Sequence, residues 1–386
     1  MISPEMIWIH FFLSEVEDDF IRGRFSWDLR LAYALWKIKR IPSVLIRVSN
    51  KSERYSFSIK YFKFSEKYGS YGIITINLCD KVKEILSSIK EYDREVVLYV
   101  HEWRALNSLL LLNCLRKINE PIILQQHVTA NFIYRMNNAH KAGKWYSALF
   151  YRYLSNWEFN LLKSDAVKAI YFLNKLERNL YRELFPEKIV RINTMGVFFP
   201  DKPPRKEEKE RVHVAYIGPL VRNSWRGGDL VVKFFKTRGA NLLKKVNVIF
   251  AGLSDLSLCK IISDLGMNCL GYLRYKEILK IMKNSDILLW PASRTVYWGG
   301  IGVTLMEAFA NDTPVASPTL INHEGNISPL GWLLPWREYE SLVMDRLYEI
   351  ITLILEDKAK KHPFYEGKRY YDWEVIIDKM ISDAKR

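Results

Sequence analysis

Between Ser285 and Pro318 the chain reads SDILLWPASRTVYWGGIGVTLMEAFANDTPVASP. Gly299, Gly300 and Gly302 stand directly ahead of a helix-forming run, Val303 to Ala310, that carries the carboxylate Glu307. Residues without a Cβ let a ligand approach the backbone. The first amides of a helix have no intrahelical acceptor, so the stretch Gly299-Gly300-Ile301-Gly302-Val303 is suited to receive an anion. Arg222 and Arg226, in the segment RNSWRGGD, could neutralise a phosphate or diphosphate, because a guanidinium donates two parallel hydrogen bonds to such oxygens. His127 follows the apolar run Ile122-Ile123-Leu124 and could orient a ligand at the end of a strand. Together such groups could hold a phosphate or another anion. Taken singly, each feature has a plainer reading: glycine clusters make turns, helical glutamates and exposed arginines are solvated, and a strand-end histidine satisfies neighbouring backbone.

The elements that must position these residues are legible. Ile287-Leu288-Leu289-Trp290 is a short unbroken apolar run, as expected of a strand buried on both faces. Pro291 ends it, a loop leads to the glycines, and the helix closes at Asn311-Asp312 and Pro314 before strand Val315-Ala316. Strand, glycine loop, helix, strand is a βαβ unit with its loop at the carboxyl end of the first strand, where open parallel sheets bind ligands. The first half repeats the pattern, with strands expected at 7–12, 43–48, 73–76, 96–100, 122–124, 166–172 and 189–192 and helices at 26–39 and 106–118. Residues 201–211, DKPPRKEEKER, hold two prolines and many charges but no apolar side chain, and are expected to be a linker and hinge. A second series follows, with strands at 212–217 and 246–250, a helix at 278–284, strand 331–335 and terminal helices at 342–355 and 373–384.

These stretches resemble the signature of the retaining GT-B glycosyltransferases of the family 4 type, which includes sucrose synthase and bacterial mannosyltransferases. There the pattern reads PS, a short loop, E-G-F-G-L, three residues, then E-A-M-A-C-G-T-P-V. Pro291, Gly300, Gly302, Glu307, Ala308, Ala310, Thr313, Pro314 and Val315 fall in register, while the first glutamate of the pattern falls on Gly299. Gly218-Pro219-Leu220 and Arg226-Gly227-Gly228-Asp229-Leu230 are similar to the family's G-R-L and K-G-x-D-x-L. Cys269 to Leu273 echoes F-L-G-Y-V, Gly331 to Pro335 echoes G-x-L-V-P, and Met195-Gly196-Val197 echoes N-G-V-D. Gln125-Gln126-His127 stands where the family carries T-x-H-G, His101 matches a looser histidine, and Gly23 between Arg22 and Arg24 stands for the first glycine loop.

The resemblance implies an α/β GT-B fold, two Rossmann-like domains facing one another across a cleft. Residues 1–200 would bind the acceptor, 201–211 would link, 212–370 would bind a nucleotide-diphosphate sugar, and the helix in 371–386 would cross back to the first domain. It implies transfer of a hexose with retention of configuration. Arg226, Arg222 and the amides of Gly300 to Val303 would hold the diphosphate, Glu307 the ribose hydroxyls, and His127 the sugar. The donor is a substrate; no cofactor and no metal are expected. The acceptor is left open between a lipid-linked molecule and another glycan. With Gly299 in place of a glutamate, a catalytically inactive GT-B module that binds nucleotide-sugars or partners is the alternative.

A length of 386 residues with 49% hydrophobic content allows two domains with sizeable cores and excludes a disordered chain. No apolar run reaches the roughly 20 residues of a membrane span, and the N-terminal stretch lacks the basic start of a signal peptide. Cys79, Cys114, Cys259 and Cys269 show no CxxC spacing and read as reduced core thiols of a cytoplasmic protein. A net charge of +15 suits anionic partners, but no nucleic-acid-binding module accompanies it. Residues 132–162 mix aromatic and basic residues. They read either as one long helix with its aromatics in the core or as an amphipathic face resting on anionic lipid at the inner membrane surface.

Overall fold

The computed structural model describes residues 6–13, 25–48, 60–63, 70–76, 95–101, 106–118, 120–126 and 131–386. His127 and the Arg22-Gly23-Arg24 loop lie outside the described residues. The chain forms two units, Met1–Met195 together with Ile376–Arg386, and Gly196–Val375.

In the first unit the described elements are β1 (Met6–Leu13), α1 (Phe25–Lys39), β2 (Ser43–Val48), β3 (Lys60–Lys63), β4 (Ser70–Ile76), β5 (Glu95–His101), α2 (Leu106–Leu115), β6 (Ile122–Gln125), α3 (Phe132–Lys141), α4 (Trp145–Leu162), β7 (Val167–Phe172), α5 (Lys175–Leu184) and β8 (Ile189–Ile192). The sheet runs β3-β4-β2-β1-β5-β6-β7-β8. Its ladders are parallel except that of β3 with β4, which is antiparallel. The central strands are largely apolar on the face that α2 covers. Ile9, Phe11, Val96, Leu98, Val100, Ile122, Leu124 and Ile170 pack with Leu109, Leu112 and Leu115 of α2.

The opposite face holds buried charge. His10 pairs with Tyr99 across the ladder, and His101 ends β5. Asp28 of α1 lies with its Oδ2 2.8 Å from His101 Nδ1 and its Oδ1 3.6 Å from His10 Nδ1, while Ser43 Oγ is 3.3 Å from His10 Nε2. Burial pushes the Asp28 carboxyl up, but the charge of His101 and contacts with His10 and His101 outweigh it and hold the group below its ordinary value. His101 is thereby accounted for as a buried partner of Asp28.

The expected single helix over 132–162 is two helices. Gly143, at φ +69, reverses the chain between them, and Asn131 caps the first by accepting from the Tyr134 amide at 2.7 Å. The last residues complete this unit: Ile376, Ile377 and Met380 are buried, and Asp383 accepts from Tyr171 Oη at 2.8 Å and pairs with Arg191 at 3.0 Å.

The second unit contains β9 (Val212–Ile217), α6 (Gly228–Lys236), β10 (Val246–Ala251), α7 (Leu256–Asp264), β11 (Asn268–Cys269), α8 (Tyr275–Lys283), β12 (Ile287–Leu289), α9 (Val303–Ala310), β13 (Val315–Ala316), α10 (Ile327–Leu330), β14 (Gly331–Trp332), α11 (Glu340–Leu355) and α12 (Phe364–Tyr371). The helix α13 (Trp373–Ala384) begins here and ends in the first unit. Six parallel strands run β11-β10-β9-β12-β13-β14.

Residues 201–211 belong to this unit and lie along it. Lys206 Nζ donates to the Ser285 carbonyl at 2.9 Å, and Lys209 Nζ donates to Asn284 O at 2.7 Å and to Asp286 at 2.9 Å. Their charges find fixed acceptors on the loop that leads into β12, which composition does not reveal. The expectation of reduced thiols is corrected: Cys259 of α7 and Cys269 of β11 form a disulfide, and no described cysteine is free. A separation of 10 residues in sequence hid a Cα–Cα distance of 5.5 Å that the α7–β11 turn creates. Among the described residues no helix is long and apolar enough to cross a membrane.

The Asp28 cluster yields a stability prediction. A carboxylate with a depressed folded pKa contributes stability that is fully present above its unfolded pKa, about 3.9, and is lost as pH falls through the folded value. Asp28→Asn keeps the shape and removes the charge, and should cost about 3 kcal/mol, as for one partner of a buried pair. In urea titrations at pH 7 the variant is expected to unfold earlier. At pH below 3 the difference should shrink; a constant difference across pH would contradict this account.

Candidate functional site

The carboxyl ends of β9, β10 and β12 meet at one edge of the second sheet. β9 ends in Gly218, β10 in Gly252 and β12 in Trp290-Pro291. The backbones there touch. A Cβ on Gly252 would stand 2.2 Å from Gly218 O, and one on Gly227 would stand 2.2 Å from Pro291 O. Gly227 has φ +77 as well, so both its conformation and its neighbour demand glycine. The Ser293 amide donates to Trp225 O at 2.8 Å, which stitches the loop after β12 to the loop after β9.

This packing presents Arg226. Its side chain crosses Gly218, and its guanidinium carbon lies 4.5 Å from the Trp225 ring centre. The Arg226 Nε is buried without a hydrogen-bond partner, and no carboxylate among the described residues pairs with the side chain. Burial lowers its pKa, although Arg226 remains a cation at neutral pH. A partly desolvated guanidinium without an anion is held at a cost, so the geometry favours an anion here.

The loop itself is braced from below. Asp229, at the start of α6, accepts from the Asn223 amide at 2.8 Å and pairs with Arg337 Nη2 at 2.8 Å. Arg337 also donates to the Ser224 carbonyl, and its amide donates to Ala292 O at 3.0 Å. Arg337 was not among the expected site residues; nothing near it in sequence marks it, because its side-chain partners are more than 100 residues away. Arg222 is exposed and sits toward α7. Hydrogen bonds from Ser257, and also the charge of Arg222, hold the Asp255 carboxyl below its ordinary value.

The glycine stretch lies at the same edge. Residues Arg294–Gly299 form a 3-10 turn whose first amide donates to Glu338 at 3.0 Å. Gly300 follows at φ +61 and ψ −142, a conformation open to glycine. Ile301 is buried under the turn, and Gly302 caps α9 in extended conformation without a side-chain cap. The amides of the first turn, from Val303 on, therefore face outward from the helix N-terminus. Gly299, by contrast, has no positive φ, and a Cβ built on it meets nothing within 4 Å. Glu307, one turn into α9, is 8% exposed, and Tyr275 Oη donates to its Oε1 at 2.9 Å.

The structure thus brings Arg226, the 300–303 backbone and Glu307 to one sheet edge, with Arg222 at its rim. Among the described residues no group of three His, Cys, Asp or Glu is placed to hold a metal ion.

Residues 199–324 match the family model of glycosyl transferases group 1, a span that takes in β9, β10, β12 and α9 but not Arg337 or Glu338. No curated protein matches the chain. Among solved structures, the chain is similar to an E. coli trehalose-6-phosphate protein bound with UDP-2-fluoro glucose, at 11% identity over 98% of this chain and 99% of that one, with a TM-score of 0.61. It is similar to an α,α-trehalose-phosphate synthase (UDP-forming) from Burkholderia vietnamiensis, at 12% identity over 98% of both chains and a TM-score of 0.61. The Anabaena protein HepE in complex with UDP and glucose matches at 13% identity over 97% of this chain and 98% of that one, with a TM-score of 0.56. At these identities the likeness is one of architecture: the chain has the α/β GT-B fold.

Two glycine substitutions separate the roles in this edge. Gly227→Ala should destabilise the second unit by about 2–4 kcal/mol, combining a left-handed backbone with a clash against Pro291. Gly299→Ala should shift stability by no more than about 0.5 kcal/mol. Equal effects in chemical denaturation would refute the assignment.

Proposed function

We propose that the protein is a glycosyltransferase that moves a sugar from a nucleotide-diphosphate sugar to an acceptor with retention of configuration. The observation that carries this reading is Arg226, a partly buried cation with no carboxylate partner among the described residues, at the same end of the second sheet as the N-terminus of α9, which has no side-chain cap. As the bond from the sugar's anomeric carbon to the diphosphate breaks, negative charge collects on the diphosphate. Arg226, with Arg222 at the rim and the amides from Gly300 to Val303, stabilises that charge. Glu307 accepts hydrogen bonds from the ribose hydroxyls, and His127 orients the sugar. No step requires a metal ion. The group 1 match over 199–324 and the nucleotide-bearing GT-B neighbours support the donor class.

The α3–α4 hairpin supports a membrane surface as partner and a lipid-linked acceptor. Ile133, Tyr134, Trp145, Tyr146, Leu149, Phe150 and Tyr153 are exposed on it, Tyr146 at 74% and Tyr153 at 65%. From Asn131 to Trp157 the chain has no acidic residue, whereas Lys141, Lys144 and Arg152 are exposed. Aromatic rings beside lysine and arginine suit the interface of an anionic bilayer.

Three measurements test these readings. Arg226→Ala should raise the Kd for the best-binding nucleoside diphosphate about 10- to 150-fold, the equivalent of about 1.5–3 kcal/mol; unchanged calorimetric affinity removes Arg226 from the site. Product analysis with nucleotide-sugars decides activity, since a chain that binds them but neither transfers nor hydrolyses sugar is a binding module. Flotation with phosphatidylglycerol vesicles should recover the protein, and recovery should fall with salt and with neutral vesicles. Equal recovery from both vesicle types would leave the hairpin without an electrostatic role.

A further inference from the structure

Tyr275 is half-exposed, at 54%, yet its hydroxyl donates to Glu307 Oε1 at 2.9 Å across 32 residues of sequence. A hydrogen bond with one partner so exposed adds little to folding stability. The chain nevertheless fixes this phenol with unusual care. Cys269 is tied to α7 by the disulfide with Cys259 and paired with Phe250 of β10. The Leu270 amide donates to Phe250 O at 2.9 Å, and Gly271, at φ +64, accepts from the Gly252 amide at 2.7 Å. Arg274 then caps α8, its amide donating to Glu277 Oε2 at 2.8 Å, and Tyr275 is the first residue of the helix. These restraints on residues 269–274 fix where the Tyr275 backbone stands, and from there its hydroxyl meets the carboxylate.

We propose that Tyr275 is a positioning residue for donor recognition: by holding Oε1 of Glu307 it fixes the carboxylate plane so that Glu307 reads the ribose diol. This rests on the assignment of Glu307 to the ribose. A carboxylate that is free to rotate accepts from one hydroxyl about as well as from two. One locked in plane gains from both hydroxyls at once, and ribose is then separated from its deoxy forms. A charge-assisted hydrogen bond to the carboxylate supplies the lock. Tyr275 thereby acts on specificity through Glu307, without a part in breaking the sugar–phosphate bond.

The test uses the full-length protein and whichever of UDP, GDP and ADP binds wild type most tightly, with its 2′-deoxy and 3′-deoxy forms. Tyr275→Phe removes only the hydroxyl. It should weaken binding of the ribonucleotide about five- to tenfold and leave the deoxy forms within about twofold, so that the ratio between them collapses. Melting temperature should change little, because the ring stays and Tyr275 as a whole is 54% exposed. A ratio equal to that of wild type overturns the proposal while leaving the donor site intact. Binding of no nucleoside diphosphate by wild type would instead overturn the donor assignment, and this proposal with it. Glu307→Gln serves as the reference for complete loss of ribose discrimination.

Discussion

The absence of a side chain at Gly227 is the constraint on which the second unit's edge depends. With Pro291 O only 2.2 Å from where a Cβ would stand, the loops after β9 and β12 are one packed body. Their contact fixes where Arg226 leaves the backbone, and the Trp225 ring and Gly218 fix its course from there. Asp229 and Arg337 hold the same loop from the helix side, so its shape does not rely on any bound anion. A site that is shaped before its ligand arrives loses little ordering entropy on binding.

Buried charge is handled differently in the two units. In the first, Asp28 is surrounded by His10 and His101, and ionisation is favoured because partners are already present. In the second, Arg226 is partly desolvated with no carboxylate partner among the described residues. The first arrangement is self-sufficient and belongs to the architecture. The second is incomplete by one negative charge, which is the property expected of a binding site rather than of a core. Exposed hydrophobic surface on the α3–α4 hairpin is incomplete in another sense, since seven large apolar side chains there meet solvent on a face without acids.

Much of this was present in the sequence. The segments 122–124, 212–217 and 287–290 read as strands, the last as one covered on both faces, and the glycines and Glu307 stood where a βαβ loop and helix were expected. Local pattern suffices for these because each depends on neighbours within a few residues. The same local reasoning joined α3 and α4 into one helix, because residues 132–162 keep their helix-forming character on both sides of Gly143. It gave α5, α6 and α7 no definite place.

What tertiary structure decided were the contacts between distant segments. Arg337 reaches Ser224 and Asp229 from more than 100 residues away, and Tyr275 finds Glu307 across β12 and the turn over 294–299. Lys206 and Lys209 turn a segment with a linker's composition into a strap on the second sheet. The disulfide forms because α7 and β11 turn Cys259 toward Cys269, a fact of geometry that spacing alone does not carry. Gly299 and Gly300 are neighbours of identical type, yet one tolerates a side chain and the other does not. Backbone torsion sets that difference, and it is fixed by the turn over 294–299 and the cap of α9 rather than by the residues' names.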